Sequence, residues 1–242
     1  MEGREISRRI VAKKSIVVAC DLTSMEDLEK VVANTCDLHG VGGYKIGFSL
    51  ALKYGVPSVV ATIRRYTAKP VMYDHQKGGT DVPHTGALFS DVLTEAGVDY
   101  AILFPFSGPS TEAAWIEALT KKGIVPVVGA IMTIPDFLKE GGGYIDERSA
   151  ARIFEMAASL GVKDFVLPGN KPDIASKYKQ QIDSLVSSPT YYLPGLGAQG
   201  GDIKSCARMM GERWHAIVGR SVYGAKDVRG AALSLTEELL VK

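Results

Sequence analysis

Val71-Met72-Tyr73-Asp74-His75-Gln76-Lys77-Gly78-Gly79-Thr80-Asp81-Val82-Pro83 runs from an apolar segment straight into three charges of alternating sign, Asp74, Lys77 and Asp81. The apolar part reads as a buried strand, and the glycines that follow mark a loop. Charges gathered where a strand ends, rather than spread on a helical or turn pattern, suggest a site. The alternative is a solvated cluster at the start of a helix, with Asp81 as cap and Pro83 in the first turn. A lysine held between carboxylates keeps its proton, because each negative charge favours the ammonium form. Such a lysine is a poor base, but it can stabilise negative charge developing on a nearby carbon and deliver a proton to it.

Working outward, the same kind of apolar run recurs at Ser15 to Cys20, Gly43 to Ile46, Pro70 to Tyr73, Tyr100 to Phe104, Ile124 to Ala130, Asp164 to Leu167, Tyr191 to Leu193 and His215 to Val218. Helical stretches lie between them, for example Ser24 to Leu38, His84 to Ala96, Ser110 to Lys121, Glu147 to Leu160 and Asp227 to Leu240. Strands alternating with helices predict parallel βα units, and about eight of them in a chain of this length predict an α/β fold, a single (β/α)8 TIM barrel spanning residues 1–242. Thr23 and Ser24 offer a hydroxyl cap to one helix, and Ser110 followed by Glu112 marks the start of another. Gly141-Gly142-Gly143 reads as a mobile loop after the fifth strand.

Composition narrows the function. Lys plus Arg number 28 against 27 Asp plus Glu, so there is no broad basic field for nucleic acid, and an anionic ligand must be held by local groups. No apolar run approaches the roughly 18 residues of a membrane span, so a soluble, cytoplasmic protein is expected. Cys20, Cys36 and Cys206 are odd in number and widely spaced, which argues against a disulfide framework and a zinc site. His39, His75, His84 and His215 show no metal-ligand spacing, so no metal is expected. Trp115 and Trp214 read as packing residues.

Barrel active sites lie at the C-terminal ends of the strands. The residues found there are Asp21, Lys45, Asp74 with Lys77, Thr133, Gln199, and Gly219-Arg220. After strand seven, Pro194-Gly195-Leu196-Gly197-Ala198-Gln199-Gly200-Gly201-Asp202 is expected to leave backbone N–H groups free to approach a ligand. After strand eight, Gly219 places an amide beside the Arg220 guanidinium, a fork suited to phosphate oxygens. Taken singly, the first loop could be a flexible connection and Arg220 a surface ion pair. Together, on adjacent strands, they predict a monophosphate ligand.

These residues resemble the orotidine 5'-phosphate decarboxylase family, particularly its archaeal forms, over nearly the whole chain. The most specific matches are Pro194 to Asp202, Val218 to Ser221, Tyr44-Lys45-Ile46-Gly47 and Asp81-Val82-Pro83-His84-Thr85. The resemblance implies a homodimer that converts orotidine 5'-monophosphate to UMP and carbon dioxide in pyrimidine biosynthesis, without metal or cofactor. It implies that Asp21 and Lys45 contact the ribose, that Asp74 lies beside the departing carboxylate, and that Lys77 donates the proton. Asp81 and Thr85 would complete the neighbouring subunit's site, Thr133 would read the pyrimidine, and Gln199, Gly219 and Arg220 would hold the phosphate, with the Pro194 loop closing over it.

Two departures from the family pattern stand out. The central motif is Asp-x-Lys-x-x-Asp in the family, but Asp74-x-x-Lys77-x-x-x-Asp81 here, so strand alternation would let His75 take the position of the first Asp. Thr133 stands where Met-Ser is usual and keeps the hydroxyl. Two rival functions are a metal-dependent sugar-phosphate decarboxylase or aldolase of a related barrel, and a UMP-binding protein without chemistry.

Overall fold

The structure, a computed structural model, describes residues 8–75, 79–197 and 199–240. Eight strands, β1 (Lys14–Cys20), β2 (Val41–Gly47), β3 (Val71–Asp74), β4 (Tyr100–Leu103), β5 (Val125–Gly129), β6 (Asp164–Val166), β7 (Thr190–Leu193) and β8 (Trp214–Val218), pair in parallel and in sequence order. β8 closes on β1 with Ala216 opposite Ile16, so every strand has two neighbours. Each predicted apolar run coincides with one of these strands.

The crossovers carry α1 (Met25–Thr35), α2 (Phe48–Tyr54) with α3 (Val56–Arg64), α4 (Thr85–Glu95), α5 (Pro109–Lys121), α6 (Glu147–Ser159), α7 (Pro172–Leu185), α8 (Ile203–Met210), and α9 (Arg220–Tyr223) with α10 (Val228–Leu240). Ser24 caps α1 as expected, its hydroxyl accepting from the Asp27 amide. Ser110 caps nothing: α5 starts at Pro109, behind Gly108, whose φ of 120° an L side chain rarely adopts. The loop at Gly141 to Gly143 folds on itself, with the Gly143 amide donating to Leu138 and Lys139 donating to Ile145.

Side chains alternate between two apolar regions, as the pleat of a strand requires. Val17, Ala19, Met72, Ile102 and Ile217 fill the barrel interior, whereas Ile16, Val18, Cys20, Val71 and Tyr73 face the helical layer. The N-terminal segment closes the lower end. Ile10 packs into the interior and donates its amide to the Tyr100 hydroxyl, and Arg9 pairs with buried Asp164 at 3.0 Å. That leaves the upper, C-terminal end of the strands for ligand chemistry.

Candidate active site

A cavity of about 140 Å³ opens at the C-terminal end of the barrel. Its polar lining includes Asp21 just beyond β1, Lys45 on β2, Asp74 at the end of β3, Thr133, Gln199 and Arg220. Register explains the grouping: Ala19 lies opposite Lys45, and Gly47 opposite Asp74, so the inward positions of three adjacent strands converge in one layer. Gly47 must remain small, because a Cβ there would stand 2.7 Å from Asp21 Oδ1.

Lys45 is the centre of this layer. Its Nζ lies 3.0 Å from Asp21 Oδ1 and 3.0 Å from Asp74 Oδ2, and the residue is only 4% exposed. Burial alone would lower its pKa, but the negative charges of Asp74 and Asp21 outweigh that and hold it above its ordinary value. The ammonium is therefore permanent at neutral pH. Asp74 is buried with it, whereas the Asp21 side chain is 51% exposed. Cys20, next to Asp21, points into the helical layer, where burial pushes its thiol up to about 12 and leaves it inert.

The face question at the end of β3 has a geometric answer. Met72 and Asp74 point inward, Tyr73 points outward, and His75 is not among the cavity's lining residues. Instead, His75 Nδ1 lies 2.6 Å from the Tyr73 hydroxyl, and its ring meets Tyr73 and Phe89. Asp74, not His75, joins Lys45. Lys77 lies outside the described residues.

Asp81 and Thr85 do not line this cavity. The Asp81 carbonyl accepts from the Thr111 hydroxyl at 2.9 Å, and the Val82 carbonyl accepts from Trp115 Nε1 at 3.2 Å, so α5 fixes the segment while the Asp81 side chain stays at the surface. Asp81 does not cap α4, whose N-cap is His84 with no side-chain bond.

On the other side of the mouth, the loop after β7 differs from the expectation of free amides. The amides of Gly197, Gly200 and Gly201 donate to carbonyls within the loop, and Asp202 caps α8 by accepting from Ser205 and Lys204. Gly195 and Gly197 have φ of 89° and 68°, and a Cβ at Gly197 would meet Ser221 Oγ at 2.5 Å. Those glycines serve the turn's own geometry. Pro194, Gly195 and Gln199 nevertheless line the cavity together with Gly219 and Arg220. Arg220 is exposed and forms no ion pair with a carboxylate among the described residues, unlike a surface salt bridge.

The structure adds residues that the sequence left unremarked. Tyr223 on α9 lines the cavity, and Ile102, Phe104 and Ile217 form its apolar walls. Asn170, after β6, donates to the Thr133 carbonyl at 3.0 Å, and the neighbouring Lys171 ammonium holds the Met132 carbonyl at 3.1 Å and also that of Ile134. Asn170 Oδ1 is buried without a hydrogen-bond partner among the described residues and stands beside Gly195, so this side chain spans the Thr133 loop and the Pro194 loop. The cluster Pro168-Gly169-Asn170-Lys171-Pro172 was the available signal, a turn-rich stretch with a cation at a strand's C-terminal end.

A closed parallel barrel with a buried cation between carboxylates at its C-terminal mouth defines an α/β-barrel protein with its ligand site in the strand-end loops. The profile of the Orotidine 5'-phosphate decarboxylase / HUMPS family matches residues 14–235, and the chain belongs to that family. An orotidine 5'-phosphate decarboxylase of Methanosarcina mazei is 30% identical over 224 residues, covering 93% of this chain and 94% of its own. The enzyme of the same name from Thermococcus kodakarensis is 24% identical, covering 93% and 96%. Among solved structures, orotidine 5'-monophosphate decarboxylase of Methanocaldococcus jannaschii, complexed with the inhibitor BMP, superposes with a TM-score of 0.83 at 23% identity, covering 95% of this chain and all of its own. The Pyrococcus horikoshii enzyme superposes at 0.77 with 25% identity, covering 94% and 100%.

Proposed function

We propose that this protein decarboxylates orotidine 5'-monophosphate to UMP and carbon dioxide in pyrimidine biosynthesis, without a metal or cofactor. The observation that carries the proposal is Lys45 held between Asp74 and Asp21 in a cavity that also contains Gln199, Gly219 and Arg220. Membership of the family over residues 14–235 supports it.

In this mechanism the bond from C6 to the carboxylate breaks, the electron pair stays on C6, and carbon dioxide leaves. The resulting charge is localised on a ring carbon, so the barrier is chiefly electrostatic, and a nearby ammonium answers it directly. Lys77 stabilises the carbanion and then transfers its proton to C6. Asp74 lies beside the departing carboxylate, and Lys45 neutralises Asp74 while contacting the ribose with Asp21. Thr133 reads the pyrimidine edge, with its loop fixed from behind by Asn170 and Lys171. Arg220, Gly219 and Gln199 hold the phosphate, and its binding energy closes the Pro194 loop over the substrate.

The protein acts as a homodimer in which Asp81 and Thr85 complete the neighbouring site. Both lie outside their own chain's cavity, on a segment that also exposes Val82, Leu88 and Val92. Leu88 and Val92 are four residues apart on α4, and Leu88 is 64% exposed, which suits an apolar contact face. We assign the protein to the cytoplasm. Cys20, Cys36 and Cys206 are free, in keeping with a reducing compartment, and among the described residues no helix is long and apolar enough to cross a membrane.

The test follows consumption of orotidine 5'-monophosphate and appearance of UMP in the presence of EDTA, with wild type and Lys77→Ala. Turnover that survives the chelator, and a variant that loses turnover while still binding UMP, are expected. Activity abolished by EDTA would favour a metal-dependent sugar-phosphate reaction. UMP binding with no turnover by wild type would leave a binding protein. Equal loss of turnover and UMP binding in Lys77→Ala would remove the role assigned to that lysine.

A further inference from the structure

A second cavity, of about 630 Å³, lies between the first turn of α5, the helix α6 and the segment that precedes α6, and it shares no lining residue with the barrel mouth. Its volume falls in the roughly 300–1,000 Å³ range of small-molecule sites. Pro105, Phe106, Ile153 and Met156 supply apolar walls. Among them is Glu112, a residue only 2% exposed, whose carboxyl Oε1 has no hydrogen-bond partner among the described residues. Buried polar groups are ordinarily satisfied, so a carboxyl in the wall of an open cavity, with one oxygen sealed beneath that wall and unpaired, is the group there that a partner from outside the chain would satisfy.

The other charges of the cavity indicate what that partner is. Lys139 and Asp146 pair with each other at 3.4 Å, and Arg152 and Glu155, both exposed, contribute one charge of each sign. These four sum to zero, so none is left over to balance Glu112 when it ionises, and a counter-charge must come with the ligand. We propose that this cavity is a second ligand site, for a small organic monocation: a protonated amine that donates to the Glu112 carboxylate, carried on an apolar body that packs against Phe106, Ile153 and Met156. Burial pushes the empty-site Glu112 up to about 8, so at neutral pH the carboxyl is mostly protonated and gives up its proton when the ammonium arrives. Nothing in the proposed decarboxylation uses this group.

The experiment is calorimetric titration of the full chain with phenethylamine near neutral pH, in two buffers of different ionisation enthalpy, with 2-phenylethanol as the uncharged control. Expected are saturable binding of the amine, release of nearly one proton per amine bound, and at least tenfold weaker binding of the alcohol. Glu112→Gln keeps the shape, and should weaken amine binding at least tenfold and abolish the proton release while orotidine 5'-monophosphate turnover is unchanged. Met156→Trp, which fills the cavity from α6, should block the amine without touching Glu112, and serves if Glu112→Gln does not fold. Failure of the amine to saturate, equal affinity for amine and alcohol, or undiminished binding by Glu112→Gln would overturn the proposal. Because the readout is binding at a separate cavity, any of these results leaves the decarboxylase assignment standing.

Discussion

Replacing Lys45 by Met probes the charged layer at the base of the mouth. At 3.0 Å and an effective dielectric of about 20, the attraction of the ammonium to each carboxylate is on the order of 5 kcal/mol. Most of that is cancelled by the cost of taking the ions out of water, which is several kcal/mol per ion. The two contacts then differ, because the Asp21 side chain is 51% exposed and Asp74 is buried. Solvent screens the Asp21 pair to about 1 kcal/mol or less. Removing Lys45 leaves Asp74 buried without this counter-charge, a change that costs about 3–5 kcal/mol. Lys45→Met should therefore lose about 3–5 kcal/mol of unfolding free energy, and Asp21→Asn no more than about 1 kcal/mol.

Equilibrium urea unfolding followed by circular dichroism measures both, with m-values checked for constancy. The folded-state pKa of Lys45 is raised above its unfolded value, so its contribution is fully present below about 10.5 and is lost only as pH rises through the folded value. The gap between wild type and Lys45→Met should accordingly stay constant across the neutral range. A Lys45→Met protein within about 1 kcal/mol of wild type, or an Asp21→Asn protein equally impaired, would refute the account of Lys45 as a buried, doubly paired ammonium.

Arg220→Ala should leave unfolding midpoints unchanged, since the side chain is exposed and has no carboxylate partner among the described residues, yet lower kcat/KM for orotidine 5'-monophosphate about 10–200-fold, the equivalent of one hydrogen bond to a charged group; steady-state kinetics decide it, and a negligible change would count against a phosphate role. Leu88→Asp should shift the protein toward monomer in sedimentation equilibrium and reduce turnover with it, whereas an unchanged assembly would move the dimer interface elsewhere. Mixing Asp81→Asn with Arg220→Ala should give more turnover than either impaired variant alone, because one site of each mixed dimer regains both groups, and no gain on mixing would count against a shared site. His215 is buried against Ser15 and Tyr192, and burial lowers its pKa to about 3 from 6.5, so its contribution is present above pH 6.5 and is lost as pH falls toward 3. Wild type should therefore lose on the order of 1 kcal/mol per pH unit over that window relative to His215→Gln in urea titrations, and parallel pH profiles would contradict the assignment.

How much of this was legible in the sequence depends on which physical signal each feature leaves. Strands of a parallel barrel are buried on both faces, so they appear as continuous apolar runs, and all eight could be recognised. The stretch from Phe48 to Arg64 was less legible, because Gly55, with φ of 77°, divides it into two helices too short to show a long amphipathic period. Double-sided burial also hides facing. In Val71-Met72-Tyr73-Asp74 every side chain is buried, so no polar alternation says whether Asp74 or His75 turns inward. Barrel closure resolves it, since pairing Lys45 with Met72 and Gly47 with Asp74 commits the even-numbered residues of β3 to the interior. Asn170 and Glu112 were hidden for another reason. A sequence states that an amide or carboxyl is present, but whether its oxygen finds a donor depends on three-dimensional neighbours, and in both cases the described residues provide none for the buried oxygen. The same missing signal thus marks two different situations: at Asn170 the unmet oxygen stands between two loops of the mouth, and at Glu112 it lies within the wall of a cavity that the proposed reaction never enters.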